Sequence, residues 1–167
     1  LAVEFAPTDE VIMTISISSP VTGSAQTGLT TPTYTLVEDV APDVNAKQYA
    51  VTALGGTQSG VTTHSVSSPF TITFWRPRVL KVLQAVTNQL ALLGPSPRNK
   101  YSLVTRKGVL VLAGQPAQVL IINTQIEIPA GAEAADPEDV RAALSAHIGS
   151  LDQISSGFGD TAVSGVM

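Results

Sequence analysis

Two histidines, one cluster of acids and one glycine-rich run are the residues whose types and spacing invite a chemical reading. His64 and His147 each lack a second His, Cys or carboxylate at metal-ligand spacing, and the absence of cysteine removes thiolate nucleophiles and zinc knuckles. Glu133, Asp136, Glu138 and Asp139 offer the hard oxygen ligands of a cation site. The same acids also belong in the first turn of a helix, where they face the positive end of its dipole. Gly157-Phe158-Gly159-Asp160-Thr161-Ala162 carries the letters G-x-G-x-x-A of a dinucleotide turn, but no strand precedes it and no βαβ unit surrounds it. Neither a nucleophile elbow nor a phosphate-binding Walker sequence is present. The expectation is therefore no enzyme, no metal site and no cofactor.

The remaining chemistry is electrostatic. The net charge is only −4, but it is distributed in three blocks. Residues 1–43 carry six acids and no base, residues 44–126 carry eight bases and no acid, and residues 127–167 carry seven acids and one base. Most of the middle block's bases are Arg76, Arg78, Lys81, Arg98, Lys100, Arg106 and Lys107, so one face or layer should be positive and suited to an anionic polymer. A scatter of the same bases over solvated loops is the competing reading.

Elements must then place those charges. The chain has 167 residues, 44% apolar and 5% aromatic, a length and composition that fit one domain with its own core. Leu1–Glu10 lacks the basic start of a secretory signal, and the apolar stretch 79–93 is interrupted by polar residues, so no membrane span is expected. Before residue 129 the pattern has period two, which marks strands. Val11–Ser18, Thr33–Glu38, Tyr49–Leu54, Val61–Val66, Phe70–Trp75, Tyr101–Arg106, Val109–Ala113 and Val119–Ile128 qualify. Turn-formers separate them, including Lys107-Gly108 and Gly114–Pro116, and short connections imply an antiparallel meander. Val79, Val82, Leu83, Val86, Leu90 and Leu93 fit a helical stripe or a loop excursion bounded by Pro77 and Pro95. At Pro129 the pattern changes. Asp136 as N-cap and Pro137 at the first helical position start a helix whose Val140, Leu144, Ile148 and Leu151 form one apolar stripe of about three turns. After Gly149 the helical signal weakens, leaving a tail with one or two further short turns at most.

The stretch Ile126–Gly149, with Asp136-Pro137-Glu138-Asp139 and Gly157–Met167 behind it, resembles the C-terminal part of the coat proteins of single-stranded RNA bacteriophages of the levivirus type. Tyr101 and Arg106-Lys107-Gly108 extend the likeness, and weaker similarity runs through Gln48–Thr52 and Phe70–Pro77. The resemblance implies an α+β fold in which residues 1–128 form an N-terminal hairpin and an antiparallel sheet. Residues 129–167 would form C-terminal helices crossing onto a second subunit, all within one domain, 1–167. It further implies a homodimer with a ten-stranded sheet, assembled into an icosahedral shell around a single-stranded RNA genome, with an RNA hairpin as a further possible ligand.

Strand parity places the implied sites on residues of this chain. Phe70, Ile72 and Phe74 would face the helices, leaving Thr71, Thr73 and Trp75 toward RNA. Asn123 falls where the family places an RNA-contacting Asn, Gln125 shares its face, and Thr52 sits similarly on its own strand. Arg76, Arg78, Lys100, Arg106 and Lys107 would neutralise phosphates without reading sequence. Val140, Leu144, Ile148 and Leu151 would line the dimer interface, and Gly114, Gln115, Pro116 and Ala117 the loop between dimers. Arg78 to Lys100 is longer than the corresponding connection in short coat proteins, and Glu127 would put an acid at the inner edge. A self-assembling β-rich tail or fibre subunit without RNA affinity is the alternative from another class, and a hydrolase would need a pocket of convergent polar groups that the sequence does not announce.

Overall fold

The computed structural model describes residues 15–83 and 96–167. Six strands form one antiparallel sheet in sequential order: β1 (Val21–Thr22), β2 (Thr30–Asp39), β3 (Ala46–Thr57), β4 (Phe70–Trp75), β5 (Arg98–Val109) and β6 (Gln118–Pro129). A single-turn helix α1 (Ala132–Ala135) and a long helix α2 (Pro137–Ser164) follow. The expected meander with a C-terminal helical region is thus the observed architecture.

The core sits on one face of the first four strands. Leu36, Tyr49 and Val51 form its centre, and Ile17, Val21, Tyr34, Leu54, Phe70, Ile72 and Phe74 pack around them. Edge-on aromatic pairs, Tyr34 with Phe70 at 5.7 Å and Tyr49 with Phe74 at 6.4 Å between centroids, tie three of these strands together. The parity read from Phe70, Ile72 and Phe74 holds, since all three lie on this apolar face.

Four local expectations change. Ile15 to Ser18 is irregular rather than a strand, and Val11 to Thr14 lie outside the described residues. Val61–Val66 is a loop: only His64 reaches a strand backbone, donating its N–H to Val51 O at 2.8 Å. Lys107-Gly108 is not a turn but the continuation of β5, and beyond Val109 the apolar run Leu110–Ala113 leaves the sheet. Glycine is needed at 108 for close approach, because a Cβ there would collide with Ser68. The stripe at 79–93 shows no helix over 79–83, and its remainder lies outside the described residues.

The largest difference is the length of α2. Asp136 caps it as expected, its Oδ1 accepting from Asp139 N at 3.4 Å, with Pro137 in the first turn. The helix then runs 28 residues, through Gly149, Gly157 and Gly159, and stops at Gly165 with φ 74°. Isolated helix-interior glycines cost about 1 kcal/mol each without breaking the ladder. Gly159 has a packing reason: a Cβ there would strike the Gln26 side chain. Gln26 donates to Ser155 O at 2.9 Å and lies 2.7 Å from Ser155 Oγ, while Ser24 bonds Asp152 and Thr27 bonds Asp160. The turn between β1 and β2 therefore anchors the second half of α2. No helix among the described residues is long and apolar enough to cross a membrane.

Candidate functional site

Cross-strand partners share a face, so the register sorts every proposed contact residue. On the face opposite the core, one row runs Asp39, Gln48, Thr73, Val104 and Asn123. A second runs Val37, Ala50, Thr71, Arg106 and Ile121, and a third Ala46, Trp75, Ser102 and Gln125. Thr52, next to the core residue Val51, alternates onto the same face and is exposed. The sheet thus brings Thr52, Thr71, Thr73, Trp75, Arg106, Asn123 and Gln125 onto one surface.

Their accessibility differs sharply. Asn123 and Gln125 are exposed and Trp75 half-buried, whereas Thr71 is 5% and Thr73 0% accessible. Thr73 Oγ1 donates to Gln48 Oε1 at 3.0 Å, and Gln48 Nε2 donates to Asp39 Oδ2 at 2.8 Å. As placed, Thr73 cannot meet a ligand directly; it holds the Gln48 amide, and Gln48 holds an acid. These hydrogen bonds keep the Asp39 carboxyl below its usual range, with the Gln48 bond the largest influence and the Val40 N–H next. Gln48 and Asp39 were missed from sequence. Alternation over Ala46, Gln48, Ala50 and Thr52 points to Gln48, but Asp39 enters only because β2 extends to it.

The positive layer is smaller than the charge blocks suggest, because acids from the adjoining blocks fold back onto it. Arg78 Nη2 pairs with Asp43 Oδ1 at 2.6 Å and Lys100 Nζ with Glu127 Oε1 at 3.2 Å. Each base, chiefly by hydrogen bonding, holds its partner carboxyl below the usual range. Lys107 is a correction: paired with Phe70, it lies on the core face. Its Nζ donates to Thr62 O at 2.8 Å and sits 4.9 Å from the Phe70 ring centroid, and burial lowers its pKa. Among the described residues Arg76, Arg98 and Arg106 form no ion pair.

Catalytic chemistry gains no geometry. Glu133 accepts from Gly131 N at 2.9 Å and Asp136 caps α2, so these acids serve backbone donors. No group of three or more potential ligands able to hold a metal ion occurs among the described residues. Gly157–Ala162 lies inside α2, away from any strand-to-helix turn.

Among the described residues two surfaces are left without cover. No residue of α2 is buried: Val140 and Leu144 are half-buried, while Ile148, Leu151, Ile154 and Phe158 remain 64%, 40%, 50% and 63% exposed. Ile154 and Phe158 extend the expected stripe, and were missed because the helix was read to fade after Gly149. Grooves of about 430 and 440 Å³ separate α2 from β6, with His147 lining both. Along β6 itself Val119, Leu120, Ile121 and Ile122 are all exposed, and among the described residues the strand has a partner on one side only. Just before β6, Gly114–Ala117 follows the exposed apolar run Leu110–Leu112, and Gln115, Pro116 and Ala117 face the 58–69 loop across a groove of about 600 Å³.

No protein-family model and no curated protein matches the chain. Among solved structures it is similar to the chain of a virus-like particle of bacteriophage ESE020, with 54% identity and a TM-score of 0.88 over 92% of this chain and all of that one. A virus-like particle of Beihai levi-like virus 32 shares the fold at 19% identity, with a TM-score of 0.52 over 80% of this chain and 88% of that one. With this sheet, this terminal helix and that degree of identity, the chain belongs to the coat proteins of levivirus-type bacteriophages and is a structural component of the virion.

Proposed function

We propose that the chain acts as a homodimer that closes into a capsid in the host cytoplasm, and that the polar sheet face lines the interior and binds single-stranded RNA. The role is structural, not enzymatic. One observation carries the dimer: a 28-residue helix with no buried residue stands beside a sheet edge that has no partner among the described residues. Full burial of such a side chain is worth roughly 1.5–3 kcal/mol, of which about half remains to be gained at each of these part-exposed residues, so a second copy is the natural cover. Pairing two β6 edges about a two-fold axis joins five long strands from each copy into ten, and each α2 then lies over its partner. Gly114, Gln115, Pro116 and Ala117, with Leu110–Leu112, supply contacts between dimers.

RNA meets Asn123, Gln125 and Trp75 first, with Arg106, Arg76 and Thr52 beside them. Asn123 offers its amide to base edges, Gln125, whose Nε2 already donates to Glu127 Oε1, offers its carbonyl oxygen, and Trp75, flanked in register by Ala46 and Ser102, offers a flat apolar surface for stacking. Arg78 and Lys100 already hold carboxylates and contribute less to phosphate neutralisation. The test is expression in bacteria, purification of the heaviest species, and assay of nuclease-protected RNA within it. Closed particles containing RNA support both halves of the reading; empty particles remove RNA packaging, and a stable monomer removes the dimer.

A further inference from the structure

His64 fills a gap in the strand ladder. The β3–β4 pairing ends at Ala50 and Thr71, so the Phe70 N–H is the next donor without a strand acceptor. His64 Nδ1 accepts it at 3.0 Å, while the His64 N–H bonds Val51 O at 2.8 Å. One half-buried residue thereby ties the 58–69 loop to β3 and β4, while the Gly108 N–H on Pro69 O at 2.6 Å and Lys107 Nζ on Thr62 tie it to β5. The Phe70 bond requires a neutral imidazole with its proton on Nε2; protonation puts an N–H where the acceptor lone pair was, facing another N–H. The charges around it come from two strands. Lys107 of β5 holds Thr62, two residues before His64, through Nζ bonds of 2.8 and 2.7 Å. Asp39 of β2 feels His64 only as the last and weakest of its influences. The loop so held forms one wall of the groove whose other wall includes Gln115, Pro116 and Ala117.

We propose that His64 is a pH-sensitive latch: neutral, it ties the 58–69 loop to β4 through the Phe70 N–H; protonated, it gives up that bond and loosens the wall that the loop presents to Gln115, Pro116 and Ala117. Acid then weakens contacts between copies, a consequence that rests on the assembly reading above, whereas loss of the Phe70 bond does not.

The experiment follows hydrogen exchange at the Phe70 amide in purified assemblies from pH 8 to pH 5, corrected for intrinsic exchange, with particle integrity measured by light scattering on the same samples. His64→Asn supplies an acceptor oxygen close to the position of Nδ1 and does not titrate. Wild type should lose about tenfold in protection as pH falls, the loss of one hydrogen bond, and its particles should loosen over the same interval. H64N should be flat in both. Unchanged Phe70 protection in wild type, or the same pH profile in H64N, overturns the latch. If no particles form at pH 8, the assembly reading fails while Phe70 exchange still decides the latch.

Discussion

Substitution of Ile148 separates the stability of the chain from that of its association. The side chain is 64% exposed in the single chain, so its removal costs the isolated fold little. At a two-fold interface the residue is buried twice. Full burial of an isoleucine is worth roughly 1.5–3 kcal/mol, and about two thirds of that remains to be gained on association, or about 1–2 kcal/mol per copy. Ile148→Ala keeps part of this, and the dimer should lose about 1–3 kcal/mol in total, roughly 5- to 150-fold in its dissociation constant. Ile148→Asp adds an unpaired carboxylate that must be desolvated, which costs several kcal/mol more and should prevent assembly altogether. Size exclusion with light scattering gives the oligomeric state, electron microscopy the particle yield, and circular dichroism the fold. The expected result is a folded, non-assembling I148D with I148A intermediate. Particles from I148D at wild-type yield would refute the reasoning, and an unfolded I148D would move Ile148 from the interface into the fold.

Other outcomes follow from single contacts. Gly108→Ala should destabilise the chain by about 1–3 kcal/mol, because the new methyl meets the Ser68 backbone as well as its hydroxyl; chemical denaturation measures it. Asn123→Ala should weaken binding of an RNA hairpin by about tenfold with little change in melting temperature, while Thr73→Val should lower stability and leave binding nearly intact, a pair of effects read by filter binding and thermal melts. Asp43 and Glu127 have depressed carboxyl pKa values, so their ion pairs contribute above the ordinary carboxylate range and are lost as pH falls through the lower folded values; Asp43→Asn should flatten part of that acid limb in a pH-stability titration. Glu127→Gln releases Lys100 toward the proposed RNA face, and the slope of log affinity against log salt should steepen by about 0.7 for single-stranded RNA if one further phosphate is neutralised.

What was legible in the sequence depended on whether the signal was local. Phe70–Trp75 emerged with its bounds and its parity because alternation of apolar and polar residues is set by strand geometry alone. Asp136-Pro137 marked the start of α2 because capping is likewise a matter of adjacent residues. The failures came where glycine's role depends on a distant neighbour. Gly108 looked like turn punctuation until Ser68 was seen against it, and the helix was read to weaken after Gly149, although Gly159 lies inside it with Gln26 packed against it. Charge failed for the same reason: the acid-free block reads as eight exposed positive charges, yet Asp43 and Glu127 lie just beyond its ends and fold back onto Arg78 and Lys100. The polar sheet face is therefore less a carpet of cations than a patterned surface of amides, one indole and a few arginines. If that face meets RNA as proposed, such a surface relies more on base edges and stacking, and less on phosphate attraction, than the charge blocks alone suggest.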